Sequence, residues 1–220
     1  HRHNLGTARL RVAALASLPA ADSGQVTDAA IAGPLGFCLF ASRPGQVVSL
    51  DTFYVGRLKG VGAVWQLTAV DVATRIAVVQ LIVGDKTAAI AGAFLSHLKK
   101  ALRHHGITLE GVLTDNGPEF TGKDFTTART ALDLIHHRIP PRSPNHNAVC
   151  ERFHGTVLRE FYRPHFHRGR VDDLALLNRS LQAWLNDYNH HRPNHGDYMA
   201  GRTPVQAKKQ LQRRTRHTAA

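Results

Sequence analysis

Beyond about residue 44 the hydrophobic positions fall into regular runs whose period changes several times along the chain. Residues 47–55 alternate, with Val48 and Leu50 on one face and Asp51 on the other, which predicts a strand. The loop "GRLKGVG" turns back into a second strand, "AVWQLTAVD". The turn "DVATR" then leads to "IAVVQLIV", whose nearly continuous apolar run suits a strand covered on both faces. Over residues 86–106 the spacing becomes helical: Ile90, Phe94, Leu98 and Leu102 share one stripe, and Gly106 is placed to end it. "EGVLT" is a short buried strand running into Asp115, residues 122–134 read as a helix, and "IHHRI" reads as another strand. After the proline-rich "PPRSPNHN", Val149, Phe153, Val157 and Phe161 stripe a helix over 148–162. Leu174, Leu177, Leu181, Trp184, Leu185 and Tyr188 stripe a longer helix, which Pro193 stops. This order of elements describes a mixed sheet flanked by helices.

Asp51 stands out because it interrupts a strand. Asp has low strand propensity, and an isolated carboxylate on a covered sheet face is costly to desolvate. Asp115 is less distinctive. Asn116, Gly117 and Pro118 follow it, so on residue types alone the better reading is a turn residue. A helical crossover between the third strand and "EGVLT" would set the Asp115 strand parallel to the Asp51 strand, with the two carboxylates adjacent. Adjacent carboxylates repel, and a divalent cation between them removes the conflict. Glu151 lies on the helix after the proline-rich loop, away from its apolar stripe. With 16 acidic residues in the chain, that spacing alone decides little.

The context decides more. "SLDTFYV", "TDNGPEF" and "RSPNHNAVCERFHGTV", in that order, resemble the three catalytic blocks of the DDE integrase core shared by retroviral integrases and bacterial insertion-sequence transposases. "YNHHRPNHG" and "GRTPVQ" resemble the segment that closes this core in the bacterial members. The resemblance implies an α/β, RNase H-like fold with a five-stranded mixed sheet flanked by helices. It implies a core over residues 45–207, preceded by an N-terminal segment, 1–44, without a recognisable DNA-binding domain, and followed by a basic tail, 208–220. It further implies DNA cleavage and strand transfer with two Mg²⁺ or Mn²⁺ ions, Asp51, Asp115 and Glu151 being both catalytic residues and metal ligands. In that scheme Asp51 serves both ions, Asp115 one and Glu151 the other. A homodimer or higher multimer on DNA is expected, acting on mobile-element ends and target DNA.

Arg142, Asn145, Asn147, Arg152 and Arg159 are the candidate DNA contacts. The family often places basic residues four and seven positions after the glutamate, and here those positions hold Gly155 and Leu158. The same fold could also serve a nuclease that only hydrolyses, or a catalytically inactive DNA-binding remnant. The bulk charge favours nucleic acid in every case: 28 Lys and Arg against 16 Asp and Glu give a formal charge of +12. Cys38 and Cys150 lie far apart with no paired-cysteine motif, which excludes a disulfide framework and a cysteine zinc site, so no zinc is expected despite 15 histidines. No run is long and apolar enough to span a bilayer, and a bacterial cytoplasmic, nucleoid-associated location with no membrane partner is expected.

Overall fold

Three antiparallel strands, β1 (Val48–Leu58), β2 (Gly62–Asp71) and β3 (Ala77–Val83), open the sheet. The computed structural model describes residues 41–140, 147–167 and 173–218, so the expectation for residues 1–44 falls almost wholly outside it. Helix α1 (Ala88–His104) crosses to β4 (Gly111–Thr114), which pairs parallel with β1. The short helices α2 (Pro118–Thr121) and α3 (Lys123–Ala131) lead to β5 (Ile135–Arg138), parallel to β4. The sheet order is β3-β2-β1-β4-β5, a five-stranded mixed sheet. It is followed by α4 (Ala148–Val157), a π-helical turn over Leu158–Tyr162, α5 (Arg163–His167), α6 (Leu174–His190) and α7 (Pro204–Thr218).

Each face of the sheet carries its own core. Val48, Leu50 and Leu67 point to one side and pack with Phe94, Leu98 and Phe125 from α1 and α3. Val64, Val70 and Val79 point to the other and pack with Phe153 and Val157 of α4 and Leu181 of α6. Covering both faces is what makes the strands read as near-continuous apolar runs. Among the described residues no helix is long and apolar enough to cross a membrane.

Polar pins fix these layers. Gly45 has φ +82°, and a Cβ there would lie 1.9 Å from the Thr108 carbonyl oxygen, so only glycine fits. Its N–H donates to Asp71 Oδ1 at 2.8 Å, and Thr74 donates to Asp71 Oδ2 from both N and Oγ1. Asp71 is thus the turn residue its position suggested, and it is wholly buried. Asn189 completes the edge of β3, accepting from Ala77 N and donating to Ala77 O, each at 2.9 Å. A single side-chain amide here does the work of a neighbouring strand.

Two regions depart from the periodicity. The helix of residues 148–162 continues to His167, with a π turn that lets both Phe161 and Tyr162 face the core. Tyr162 hydroxyl donates to buried Gln66 Oε1 at 2.7 Å. The basic tail, for which the sequence predicted no regular element, is helical as far as Thr218. In α7, Lys208 Nζ donates to the His105 carbonyl at 2.7 Å and Gln212 Nε2 to that of Gly106 at 3.4 Å. These side chains serve carbonyls just past the end of α1, where helical partners run out.

Candidate active site

The β1–β4 ladder pairs Val48 with Val112 and Ser49 with Leu113. Carrying that offset two residues further brings Asp51 level with Asp115, at the point where β4 ends and its loop begins. Asp51 points to the α4 side of the sheet, opposite Leu50, and its side chain is 23% exposed. Its Oδ1 accepts from Thr52 N at 2.7 Å, and its Oδ2 lies 3.9 Å from His154 Nδ1. Burial pushes the Asp51 carboxyl up to about 7, the Thr52 N–H opposing, and the negative charges of Asp115 and Glu151 push it further. The His154 imidazole is held down at about 4 by burial, so it places no counter-charge beside Asp51 at neutral pH.

Asp115 is exposed at the head of its loop. Its Oδ1 accepts from Gly117 N at 3.0 Å, so it makes the turn as well as standing in the site. Asn116 anchors that turn to β5, donating to the Ile139 carbonyl at 2.8 Å and accepting from Arg138 Nε at 3.1 Å. Gly117 leaves room for the acids: a Cβ there would sit 2.7 Å from Glu119 Oε2 and 3.1 Å from Asp115 Oδ1, so both carboxylates would have to move.

Glu119 and Lys86 form a support beneath the two aspartates' elements. Glu119 is buried, and its Oε1 accepts from Thr52 Oγ1 at 3.0 Å and from Lys86 Nζ at 2.7 Å. Lys86 also lies over the Trp65 ring, 5.1 Å from its centroid. The pair therefore ties the residue after Asp51 to the loop that carries Asp115. Nothing in the motif around Asp115 names Lys86, which lies 33 positions before Glu119. Replacing Lys86 with Met leaves a buried carboxylate without its cation, a change expected to cost about 2–3 kcal/mol. Urea denaturation checks this, and an unchanged midpoint would contradict it.

Glu151 sits in the first turn of α4, exposed, on the side away from Phe153 and Val157. Three hydrogen bonds hold this turn against β1. Cys150 Sγ donates to the Ser49 carbonyl at 3.2 Å, and buried Asn147 accepts from Ser49 Oγ while donating to the Leu50 carbonyl at 3.4 Å. Asn147, expected at the DNA, is instead a buried brace for the strand of Asp51, because both ends of its amide are committed to β1. Burial pushes the Cys150 thiol far up, which makes it an inert packing group. Arg152 and Arg159 are exposed on α4 and the π turn, whereas Arg142 and Asn145 lie outside the described residues.

The three acids are approached from different elements, and among the described residues no three His, Cys, Asp or Glu side chains converge into a ready-made cation cage. The donor set nonetheless fits a hard divalent cation. It is all carboxylate, and Asp51 and Asp115 each use one oxygen for a local N–H, keeping the other. Mg²⁺ is commonly held by one or two carboxylates together with waters and substrate phosphate, not by an all-protein cage.

Residues 41–144 and 132–204 match two models described as integrase core domain. An insertion element IS407 uncharacterized 31.7 kDa protein of Burkholderia multivorans is 33% identical over 152 residues, 69% of this chain and 51% of that protein. An insertion element IS476 uncharacterized 39.2 kDa protein of Xanthomonas euvesicatoria is 31% identical over 157 residues, 71% of this chain and 42% of that one. The chain thus spans about half the length of these relatives. Among solved structures, a chain of the simian T-cell lymphotropic virus intasome superposes with TM-score 0.65 at 20% identity, covering 79% of this chain and 57% of the other. The catalytic core domain of BIV integrase superposes with TM-score 0.55 at 17% identity, covering 78% and 99%. These two likenesses give the fold: RNase H-like.

Proposed function

Because the chain belongs to the integrase core family, we propose that it cuts and joins DNA strands at the ends of a mobile element, with Asp51, Asp115 and Glu151 as its catalytic acids. The observation that supports this best is the half-buried Asp51 carboxylate, which feels the charges of Asp115 and Glu151 with no protonated histidine to neutralise it. Such a site favours a divalent cation over a second carboxylate proton. The names of the relatives, insertion-element proteins, support element ends as the substrate.

Two bound Mg²⁺ or Mn²⁺ ions would supply activation of a water or 3′-hydroxyl and stabilisation of the leaving oxygen. The chain contributes placement. Asp51, fixed on β1 by the Thr52 N–H, Asp115, turned by Gly117, and Glu151 on α4 are the carboxylates that would hold the ions. No protein side chain attacks phosphorus, so no covalent protein–DNA intermediate forms. Two element ends joined to one target need two such sites in fixed relation, which calls for a dimer or larger assembly on DNA.

The experiment supplies pre-cut element ends, a target duplex and Mg²⁺ to the full chain. Joined product is expected without any protein-linked DNA. Release of nucleotides with no joined strands would replace this reading with a hydrolytic nuclease.

A further inference from the structure

On the face of α4 that carries Arg152, Thr156 and Arg159 lies a cleft of about 230 Å³ that none of the chemistry above uses. Four arginines line it: Arg75 from the turn after β2, Arg152 and Arg159 from α4 and the π turn, and Arg192 from the segment after α6. Arg152, Thr156 and Arg159 are spaced four and three apart, so they form one stripe along the helix wall. One of these four cations is paired with a carboxylate. Glu160 accepts from Arg192 Nε and Nη2, both at 2.6 Å, which fixes Arg192 and uses up its charge.

Among the described residues no salt bridge pairs any of the other three arginines with a carboxylate, and Asp71 acts on Arg75 only through space. Arg75 donates to the Val72 carbonyl and lies over the Tyr198 ring, 4.8 Å from its centroid. Among the described residues no hydrogen bond pairs the guanidinium of Arg152 or Arg159 with a protein acceptor. Arg152 Nη1 approaches the Gly196 backbone so closely that a Cβ there would meet it at 2.9 Å, so glycine leaves it room at the cleft. Burial holds the Arg75 guanidinium below its usual range, and the positive charge of Arg152 pushes the same way. Guanidinia that repel one another across a small cleft are stabilised by an anion, and a phosphate matches their forked donors.

We infer that this cleft is a seat for a phosphate of the nucleic-acid backbone, flanking the phosphate handled at Asp51, Asp115 and Glu151. The inference rests on the functional reading above for its choice of ligand. Arg152 directly follows Glu151 in the chain but points about 100° round the helix, so a strand passing from the acids round α4 would meet the arginine stripe. Arg152 and Arg159 hold the phosphate, with Arg75 as the charged floor and Arg192, steadied by Glu160 and by the Tyr188 ring, as the far wall. Where the family often has basic residues this chain has Gly155 and Leu158, and its α4 arginines stand instead at positions 152 and 159.

The test uses the full chain and a labelled DNA duplex in the presence of EDTA, so that binding is read without chemistry. Arg152→Gln/Arg159→Gln is compared with Lys100→Gln/Arg103→Gln, which removes the same charge from exposed positions on α1, across the sheet. The cleft variant is expected to bind at least about 10-fold more weakly and to lower the slope of log affinity against log salt by about 1 to 2, as loss of one or two phosphate contacts requires. The control is expected to stay within about threefold, as loss of bulk charge alone predicts. Inorganic phosphate should raise the melting temperature of the parent and of the control but not of the cleft variant. Equal losses in the two variants would overturn the inference. So would phosphate protection of the parent with unchanged DNA affinity in the cleft variant, which would make this a site for free anions. A parent chain that joined no DNA would sink the functional reading, while the phosphate melts would still report on the cleft.

Discussion

Asp51→Asn, Asp115→Asn and Glu151→Gln should each lower strand cleavage and joining by about 10³-fold or more, since each removes one charged ligand from a site whose chemistry rests on bound cations. DNA affinity should change little, because 28 basic residues carry it. A gel assay of joined product, with binding measured in parallel, separates the two effects. The comparison acid matters. Glu160 lies on the same continuous helix as Glu151, but it holds Arg192 at the arginine cleft, so changing it would disturb DNA contacts. Asp124, exposed in the first turn of α3, is the better control, and Asp124→Asn should join DNA normally. Near-normal joining by Glu151→Gln would remove it from the mechanism.

The second large effect is on stability, and it runs opposite to activity. The Asp51 carboxyl is raised from 3.8 to about 7 in the folded chain. A carboxyl with the higher value when folded binds its proton more tightly there, so its stabilising contribution is complete below about pH 4 and is lost as pH rises through about 7. The full shift corresponds to about 4 kcal/mol, and partial exposure reduces the expectation to about 1–3 kcal/mol. Asp51→Asn should therefore melt about 3–8 °C higher than the parent at pH 8 without divalent cations, and no higher at pH 4. Asp71 is also raised by burial, but it is present in both proteins, so their difference isolates Asp51. Mg²⁺ or Mn²⁺ should stabilise the parent at pH 8 and leave Asp51→Asn almost unaffected. Equal melting of the two proteins across this range would show that Asp51 is not held at a cost.

The stability cost at Asp51 was legible from the sequence, and other parts of the site were not. Period-two alternation around Leu50 gave away both the strand and the face of Asp51, since a strand fixes side-chain direction to two faces. The order of the elements, with one helical crossover, was enough to set β4 parallel to β1. Lys86 was invisible because it meets Glu119 across 33 positions, and no local pattern encodes an ion pair between a loop and a short helix. Asn147 was misread for a related reason. In a polar loop an amide looks solvent-directed, and only the fold shows that Ser49 and the Leu50 carbonyl wait beneath it. Helix α7 was hidden by its composition: its few apolar residues give no stripe, and its anchors are Lys208 and Gln212, polar residues serving the end of α1. The arginine cleft escaped for the opposite reason. Its residues are spread from Arg75 to Gly196, and only the packing of α4 between the β2 turn and the segment after α6 gathers them.

The most direct measurement is diffraction from a crystal of this chain soaked in Mn²⁺, with anomalous signal collected at the manganese edge. The account predicts a Mn²⁺ peak within coordinating distance of both Asp51 and Asp115, about 2.0–2.2 Å from carboxylate oxygen as for a small divalent cation, and its loss in Asp51→Asn. A Mn²⁺ concentration that supports DNA joining in solution yet gives no peak at Asp51, or gives one only at other residues, would contradict it.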